Sequence, residues 1–238
     1  MKKVLAFTCT HGKRDFLERL VVNMRSTAGM WFDWVVVLSG EGQEEIAEKL
    51  LFKEGGTGIQ HLVKWKQNKG QHYATKLAIE MSGGYDYLLR LDDDVSTRAI
   101  RWLKKMVERV GELDERVGMK DKLVVCPRMV GLKFPIQPFA KMEKGQDFLV
   151  EAVPIAGGAC RLHPVPLIKH YKPPLHEPVG RMDPQNLALF VESSGGIIVR
   201  FPDIKFIHNT QDLEAQDTTM GRIQRRMARY WPYFEVEG

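Results

Sequence analysis

The feature that most constrains this chain is an alternation of two hydrophobic periods. Apolar runs of strand length stand at residues 4–8, 34–38, 61–65 and 87–91. Between them lie segments whose apolar residues recur every three to four positions. Phe16, Leu17, Leu20, Val21 and Met24 make one such stripe, and Ala74, Leu77, Ala78 and Met81 another. Short β-branched runs predict strands and the longer period predicts helices. Helices are thus expected over 14–25, 44–52 and 71–81, closed by clusters such as Gly55-Gly56-Thr57-Gly58 and Gly83-Gly84. Strands alternating with helices fold as right-handed βαβ units around a mostly parallel sheet with helices on both faces. Open sheets of this kind bind ligands beyond the carboxyl ends of their strands. Residues 8–11, 39–42, 66–70 and 92–94 therefore share one crevice.

The second half is less regular and predicts a smaller, mixed lobe. Ser96 reads as the N-cap of a helix reaching about residue 110. Strands are expected at 123–126, 148–153 and 158–162, the last two around Gly157-Gly158. Residues 133–145 and the proline-rich 164–178 read as loops. A helix over 183–191 carries Pro184 in its first turn, where a missing N–H does no harm. Strands at 196–201 and 204–208 meet at Pro202-Asp203, and 215–230 reads as a basic helix. No linker separates the halves, so residues 1–238 are expected to form a single domain with lobes at 1–95 and 96–238.

Composition removes several classes. The 238 residues carry 35 Lys+Arg against 30 Asp+Glu, and 44% are hydrophobic, which is globular usage. No apolar run is long enough to cross a bilayer, and no signal-peptide core follows Met1. Cys9, Cys126 and Cys160 are odd in number and widely spaced, which favours a reducing, cytoplasmic setting over a disulfide framework. A sequence pI near 9.0 favours an anionic partner without choosing among nucleotides, phosphorylated lipids and DNA.

Asp92-Asp93-Asp94 is the most informative segment. It follows the strand-like 87–91 directly, so three carboxylates crowd the place where an open sheet holds its ligand. The plainer reading is a solvated turn that caps a helix. The sharper one is a hard-oxygen site for Mn²⁺ or Mg²⁺ bridging a diphosphate, which offsets the mutual repulsion. Side chains alternate along a strand, so Asp92 and Asp94 can face one way and Asp93 the other.

Taken in order, several segments resemble the GT-A glycosyltransferases, most of all the inverting family two enzymes that use nucleotide-diphospho-sugars. The segment VLAFTCTHGKRDFL at 4–17 is similar to the first strand and its Thr-rich turn. Gln67-Asn68-Lys69-Gly70, with Ala74 and Lys76, is similar to the family's Asn-x-Gly turn and small-residue helix. YDYLLRLDDDV at 85–95 resembles the strand that ends in the DXD motif, AGGACR at 156–161 the small-residue acceptor strand, MDPQNL at 182–187 the acidic segment carrying the base, and FIHN at 206–209 the late strand with a metal-binding His.

The resemblance implies a GT-A-like, Rossmann-like fold, with a nucleotide-sugar-binding lobe at 1–95 and an acceptor lobe plus a C-terminal basic helix at 96–238. It implies Asp94, Asp92 and His208 as ligands of Mn²⁺ or Mg²⁺, and Asp93 near the ribose or sugar. Thr8, Thr10 and His11 would hold nucleobase or ribose, and Arg14 a phosphate. Asn68, Gly70 and Lys76 would line the donor site, and Gly157 and Gly158 would let sugar approach the backbone. Where the family ends its second strand with a base-reading Asp, this chain has Leu38-Ser39-Gly40-Glu41, so Ser39 or Glu41 substitutes. Asp183 is the implied catalytic base, with Glu177 the runner-up.

The activity so implied is inverting, metal-dependent transfer of a sugar, from a UDP-sugar by preference, to a hydroxyl of a glycan, a lipid or DNA carrying a hydroxylated base. A sugar-phosphate nucleotidyltransferase is the competing enzyme class, and the single Gly12 in the first loop argues against it. Arg222, Arg225, Arg226 and Arg229 fall on one helical face. That stripe reads either as a solvated face or as a phosphate- or membrane-facing one.

Overall fold

The computed structural model describes residues 2–10, 16–40, 44–51, 58–130, 138, 140–142, 148–156, 159–175 and 183–208. The chain divides into a unit at Met1–His208 and a second at Asn209–Gly238, and the described residues all belong to the first. The expected helix at 215–230 and its arginine stripe lie outside the described residues.

Among the described residues ten strands form one sheet. Its parallel half is β1 (Val4–Thr10), β2 (Asp33–Ser39), β3 (His61–Trp65) and β4 (Tyr87–Leu91), in the order β3-β2-β1-β4. These are the four expected strands, and the near-continuous burial of β1, β2 and β4 is what a strand covered on both faces requires, while β3 at the sheet edge stays partly exposed. Beyond β4 the sheet becomes mixed. β9 (Cys160–Pro164) runs antiparallel to both β4 and β6 (Leu123–Val130), and β10 (Ile197–His208) lies parallel to β6. β8 (Val150–Ala152) and β7 (Ala140–Met142) complete that edge, and β5 (Val95–Thr97) pairs antiparallel with the end of β10.

Helices cover both faces, and strand alternation decides which residues meet them. Val4 and Ala6 of β1 pack with Leu17, Leu20 and Met24 of α1 (Phe16–Thr27) and with Trp102 and Met106 of α4 (Trp102–Val117). Leu5 and Phe7 face the other way. They pack with Ala74 and Ala78 of α3 (Gly70–Met81), Leu167 of α5 (Val165–Ile168) and Leu187 of α6 (Asp183–Ser193). The short α2 (Glu44–Lys49) buries Ala47 on the first face.

Four local expectations need correction. Ser96 caps no helix: it lies within β5, because residues 95–97 find ladder partners in Phe206, Ile207 and His208. The helix begins at Trp102, after Arg101 in a left-handed conformation, and stops at Gly118 in another. The two late strands are one bulged strand, β10, whose pairing with β6 shifts between Phe201 and Lys205. Pro202 has no N–H to give the ladder, which breaks it there. The expected loops at 133–145 and 164–178 contain β7 and α5 respectively.

Candidate active site

The carboxyl ends of β1, β4 and β10 meet through their registers. β1 and β4 are in register at Phe7 and Arg90, which carries Thr10 level with Asp93. Thr10 Oγ1 donates to Asp93 Oδ2 at 2.6 Å, and both residues are buried. β5 and β10 are in register at Val95 and His208, which carries Asp94 beside the imidazole. Asp94 Oδ1 lies 3.4 Å from His208 Nε2. Asp92 stays on the α3 face with Arg90, two residues earlier on the same side of β4. Arg90 Nε donates to Asp92 Oδ1 at 3.0 Å.

The three adjacent carboxylates are thus drawn to three different elements, and this relieves their mutual repulsion. Asp92 is the more exposed of the two ion-paired aspartates, with a side chain 20% accessible against 11% for Asp94. Cys9 lies beside them on β1. Burial pushes its thiol up to about 12, Arg90 opposes the shift, and Asp93 and Asp92 add to it. Cys9 therefore stays a neutral thiol at neutral pH and is no nucleophile.

A second cluster forms where β2 and β3 lead into α3. Ser39 Oγ donates to Asn68 Oδ1 at 2.9 Å and accepts the N–H groups of Lys69 and Gly70 at 3.0 and 3.3 Å. Asn68 Oδ1 also accepts the Gly70 N–H at 2.9 Å. Gly70 has φ +79°, a conformation glycine adopts without steric cost. The turn fixes where α3 begins, and therefore where Gln71 of its first turn points. Gln71 Oε1 accepts from Arg90 Nη2 at 2.5 Å.

Other anticipated residues sit elsewhere. Thr8 is fully buried, and its hydroxyl accepts the Trp34 indole N–H at 3.1 Å inside the core. Ser39 is also buried, and its hydroxyl is occupied by the α3 turn. Lys76 is half exposed on α3 and lies 3.8 Å from Glu80, one turn on, which is a solvated surface pair. His11, Arg14, Glu41, Gly157, Gly158, Glu177 and the side chain of Asp183 lie outside the described residues. Asp183 itself is the first residue of α6.

Arg90, a cation inside the apolar run YLLRL, shares a strand face with the residue two places on, and so pairs with Asp92 rather than Asp93. Two contributors escaped the sequence. Gln71 and Asn23 left no sequence signal. Asn23 uses both ends of its amide on β5: Nδ2 donates to the Thr97 carbonyl at 2.9 Å, and Oδ1 accepts the Thr97 N–H at 2.8 Å. Together with the Thr97 hydroxyl bond to the Lys205 carbonyl at 2.6 Å, this clamps the strand that follows Asp94.

The donor set suits a hard divalent cation. Two donors of one octahedral ion, each at about 2.1 Å, sit roughly 3 Å apart, close to the 3.4 Å between Asp94 Oδ1 and His208 Nε2. A mixed carboxylate and imidazole pair favours Mn²⁺ over Mg²⁺. Among the described residues no group of three or more His, Cys, Asp or Glu could hold a metal by itself. None of the described helices is long and apolar enough to cross a membrane.

No protein-family model matches the sequence, and no curated protein matches it. Solved structures do match. The chain is similar to GalNAc-T7, solved with UDP, GalNAc and Mn²⁺, with a TM-score of 0.66 and 11% identity over 87% of this chain and 44% of that one. It is similar to the mannosyltransferase PcManGT from Pyrobaculum calidifontis, solved with GDP-Man and Mn²⁺, with a TM-score of 0.66 and 13% identity over 95% of this chain and 64% of that one. It is also similar to S. aureus TarS, with a TM-score of 0.58 and 16% identity over 99% of this chain and 40% of that one. The chain therefore spans less than two thirds of each of these proteins. At such identities the likeness is one of fold, and the fold is GT-A-like.

Proposed function

We propose that this GT-A-like chain is a metal-dependent glycosyltransferase that moves a sugar from a nucleotide-diphospho-sugar to a hydroxyl acceptor with inversion. One observation carries the reading. The sheet registers bring Asp94 and His208 within 3.4 Å at the carboxyl edge, beside the rest of an acidic triplet. Two of the similar folds were solved with a nucleotide or nucleotide sugar and Mn²⁺, which supports the same ligand class here.

In this reading Asp94, Asp92 and His208 would hold the ion. A bound divalent ion would offset charge on the departing nucleoside diphosphate. Asp93, held by Thr10, faces the ribose or sugar. Asp183 at the start of α6 removes the proton from the acceptor hydroxyl as it attacks the anomeric carbon from the opposite side. UDP is the favoured donor nucleotide, by resemblance to the family.

Calorimetry with UDP, GDP and Mn²⁺ on the wild type, Asp94→Ala and His208→Ala tests the reading. Metal-dependent nucleotide binding should disappear in Asp94→Ala and fall at least about tenfold in His208→Ala. Unchanged binding in Asp94→Ala would leave the triplet as a turn. Release of nucleoside diphosphate rather than pyrophosphate separates sugar transfer from nucleotidyl transfer. Asp183→Asn should keep donor binding and lose at least about a hundredfold in transfer, and a dead Glu177→Gln with intact binding would move the base there.

A further inference from the structure

A charged side chain in the middle of a central strand is costly unless something specific holds it. Arg90 is such a residue: it sits in β4, is 4% exposed, and faces the α3 side of the sheet. Its cross-strand partner in β9 is another buried cation, Arg161. Like charges directly opposite one another are unfavourable, so this position calls for a carboxylate, and Asp92 lies on the same face. The guanidinium is also held from the helix side. Nε and Nη2 offer donors in the rigid guanidinium fork. Asp92 takes Nε at 3.0 Å, and Gln71 takes Nη2 at 2.5 Å. The Gln71 amide has no charge to contribute, so its bond sets direction.

Gln71 is itself placed by the turn of Ser39, Asn68 and Gly70 that starts α3. The connection therefore runs without a gap from the ends of β2 and β3, through the first turn of α3 and Arg90, to the first aspartate of the triplet. Arg90 itself is shielded, with a side chain 5% accessible, while Asp92 at 20% keeps part of its surface accessible.

Resting on the nucleotide-sugar reading above, we infer that Gln71 and Arg90 are positioning residues that aim the Asp92 carboxylate at the donor. Their action passes through Asp92, and Gln71 supplies orientation. Supporting partners of this kind typically change affinity or activity by about 10–100-fold when lost.

The test is a cycle on Gln71 and Asp92. UDP, with and without Mn²⁺, is titrated into the wild type, Gln71→Leu, Gln71→Glu, Asp92→Ala and Gln71→Leu/Asp92→Ala, with melting temperatures alongside. Gln71→Leu should weaken UDP binding by about tenfold, the low end for such partners, while its melting temperature stays near the wild-type value. Gln71→Glu keeps an acceptor oxygen and should rescue most of the loss. In the Asp92→Ala background Gln71→Leu should cost nothing further, because no carboxylate remains to aim. Wild-type affinity in Gln71→Leu, or an equal loss with and without Asp92, would overturn the inference.

A second readout needs no ligand. The Arg90 Nε–H signal in a ¹⁵N spectrum should exchange slowly with water in the wild type and quickly in Asp92→Ala, and it should shift in Gln71→Leu. An Arg90 signal unmoved by Gln71→Leu overturns the inference as well. Failure of the wild type to bind any nucleoside diphosphate would refute the nucleotide-sugar reading and, with it, the claim that Asp92 is aimed at a donor. A perturbed Arg90 signal in that case would mark the contact as structural only.

Discussion

Removing one hydroxyl tests whether the acidic triplet is held apart as the structure indicates. Thr10 and Asp93 are both buried, at 2% and 9% exposure, and their oxygens are 2.6 Å apart. A hydrogen bond to a charged group contributes about 1.5–3 kcal/mol. Thr10→Val keeps the shape of the side chain and puts a methyl group where the hydroxyl was, so the backbone has no reason to move. The added methyl recovers at most about 0.8 kcal/mol of apolar burial, and it leaves a carboxylate oxygen buried against it. The net cost should be about 2 kcal/mol. For a chain of this size that corresponds to a fall of roughly 4–8 °C in melting temperature. Thr10→Ser restores the hydroxyl and should recover most of the loss. Urea unfolding of the three proteins at neutral pH, followed by tryptophan fluorescence, gives the free energies directly. The Mn²⁺-dependent UDP affinity of Thr10→Val should fall too, since Asp93 loses its anchor at the crevice. Should Thr10→Val unfold within about 0.5 kcal/mol of the wild type, the spread of a neutral surface substitution, the hydroxyl does not hold Asp93 and the threefold partition of the triplet is wrong.

Asn23→Leu strands the N–H and carbonyl of Thr97, each about 1–3 kcal/mol when buried and unpaired, so thermal unfolding should show a clear loss of stability and calorimetry a weaker Mn²⁺ response from the loosened Asp94 strand. Gly70→Ala forces an L side chain into φ +79° and should cost about 1–2 kcal/mol, measured by urea denaturation. Asp203 is partly buried, which opposes ionisation, but the two hydrogen bonds from Arg109, at 2.7 Å each, and its charge outweigh this and hold the carboxyl below its usual pKa. A depressed carboxylate stabilises fully above its unfolded pKa, near 3.9, and that contribution is lost as pH falls through the folded value. Asp203→Asn should therefore lie below the wild type at neutral pH, by no more than about 1 kcal/mol for so exposed a pair, and converge with it toward pH 2–3 in acid-dependent unfolding.

Much of the parallel half was legible because its signals are local. Residues 61–65 and 87–91 are strands with those bounds, and the Gly70 turn adopts the positive φ that glycine permits. The second half was harder for a physical reason. Its sheet is mixed, with the short antiparallel strands β5, β7, β8 and β9 around the parallel pair β6 and β10, and several owe their state to a distant partner. Residues 95–97 carry a helix-capping serine and become a strand only because the end of β10 lies beside them.

Apolar runs that alternate with helical stripes, three carboxylates after a buried strand and His208 at the end of another are all legible along the chain. Each of these depends on neighbours a few residues away, and side-chain periodicity reports them directly. Tertiary structure alone decided which carboxylate meets which partner. Asp94 reaches His208 because β5 turns back against β10, and β10 recovers its register with β6 after a bulge at Pro202. Asp93 reaches Thr10 because β4 lies beside β1 in one particular register, while Asp92 meets Arg90 two residues back on its own strand. Register between strands far apart in the chain is set by how two apolar faces pack against their helices, and a slip of one residue would turn every side chain to the opposite face. Three identical residues in a row carry no mark of that choice, so their division of labour exists only in the folded chain.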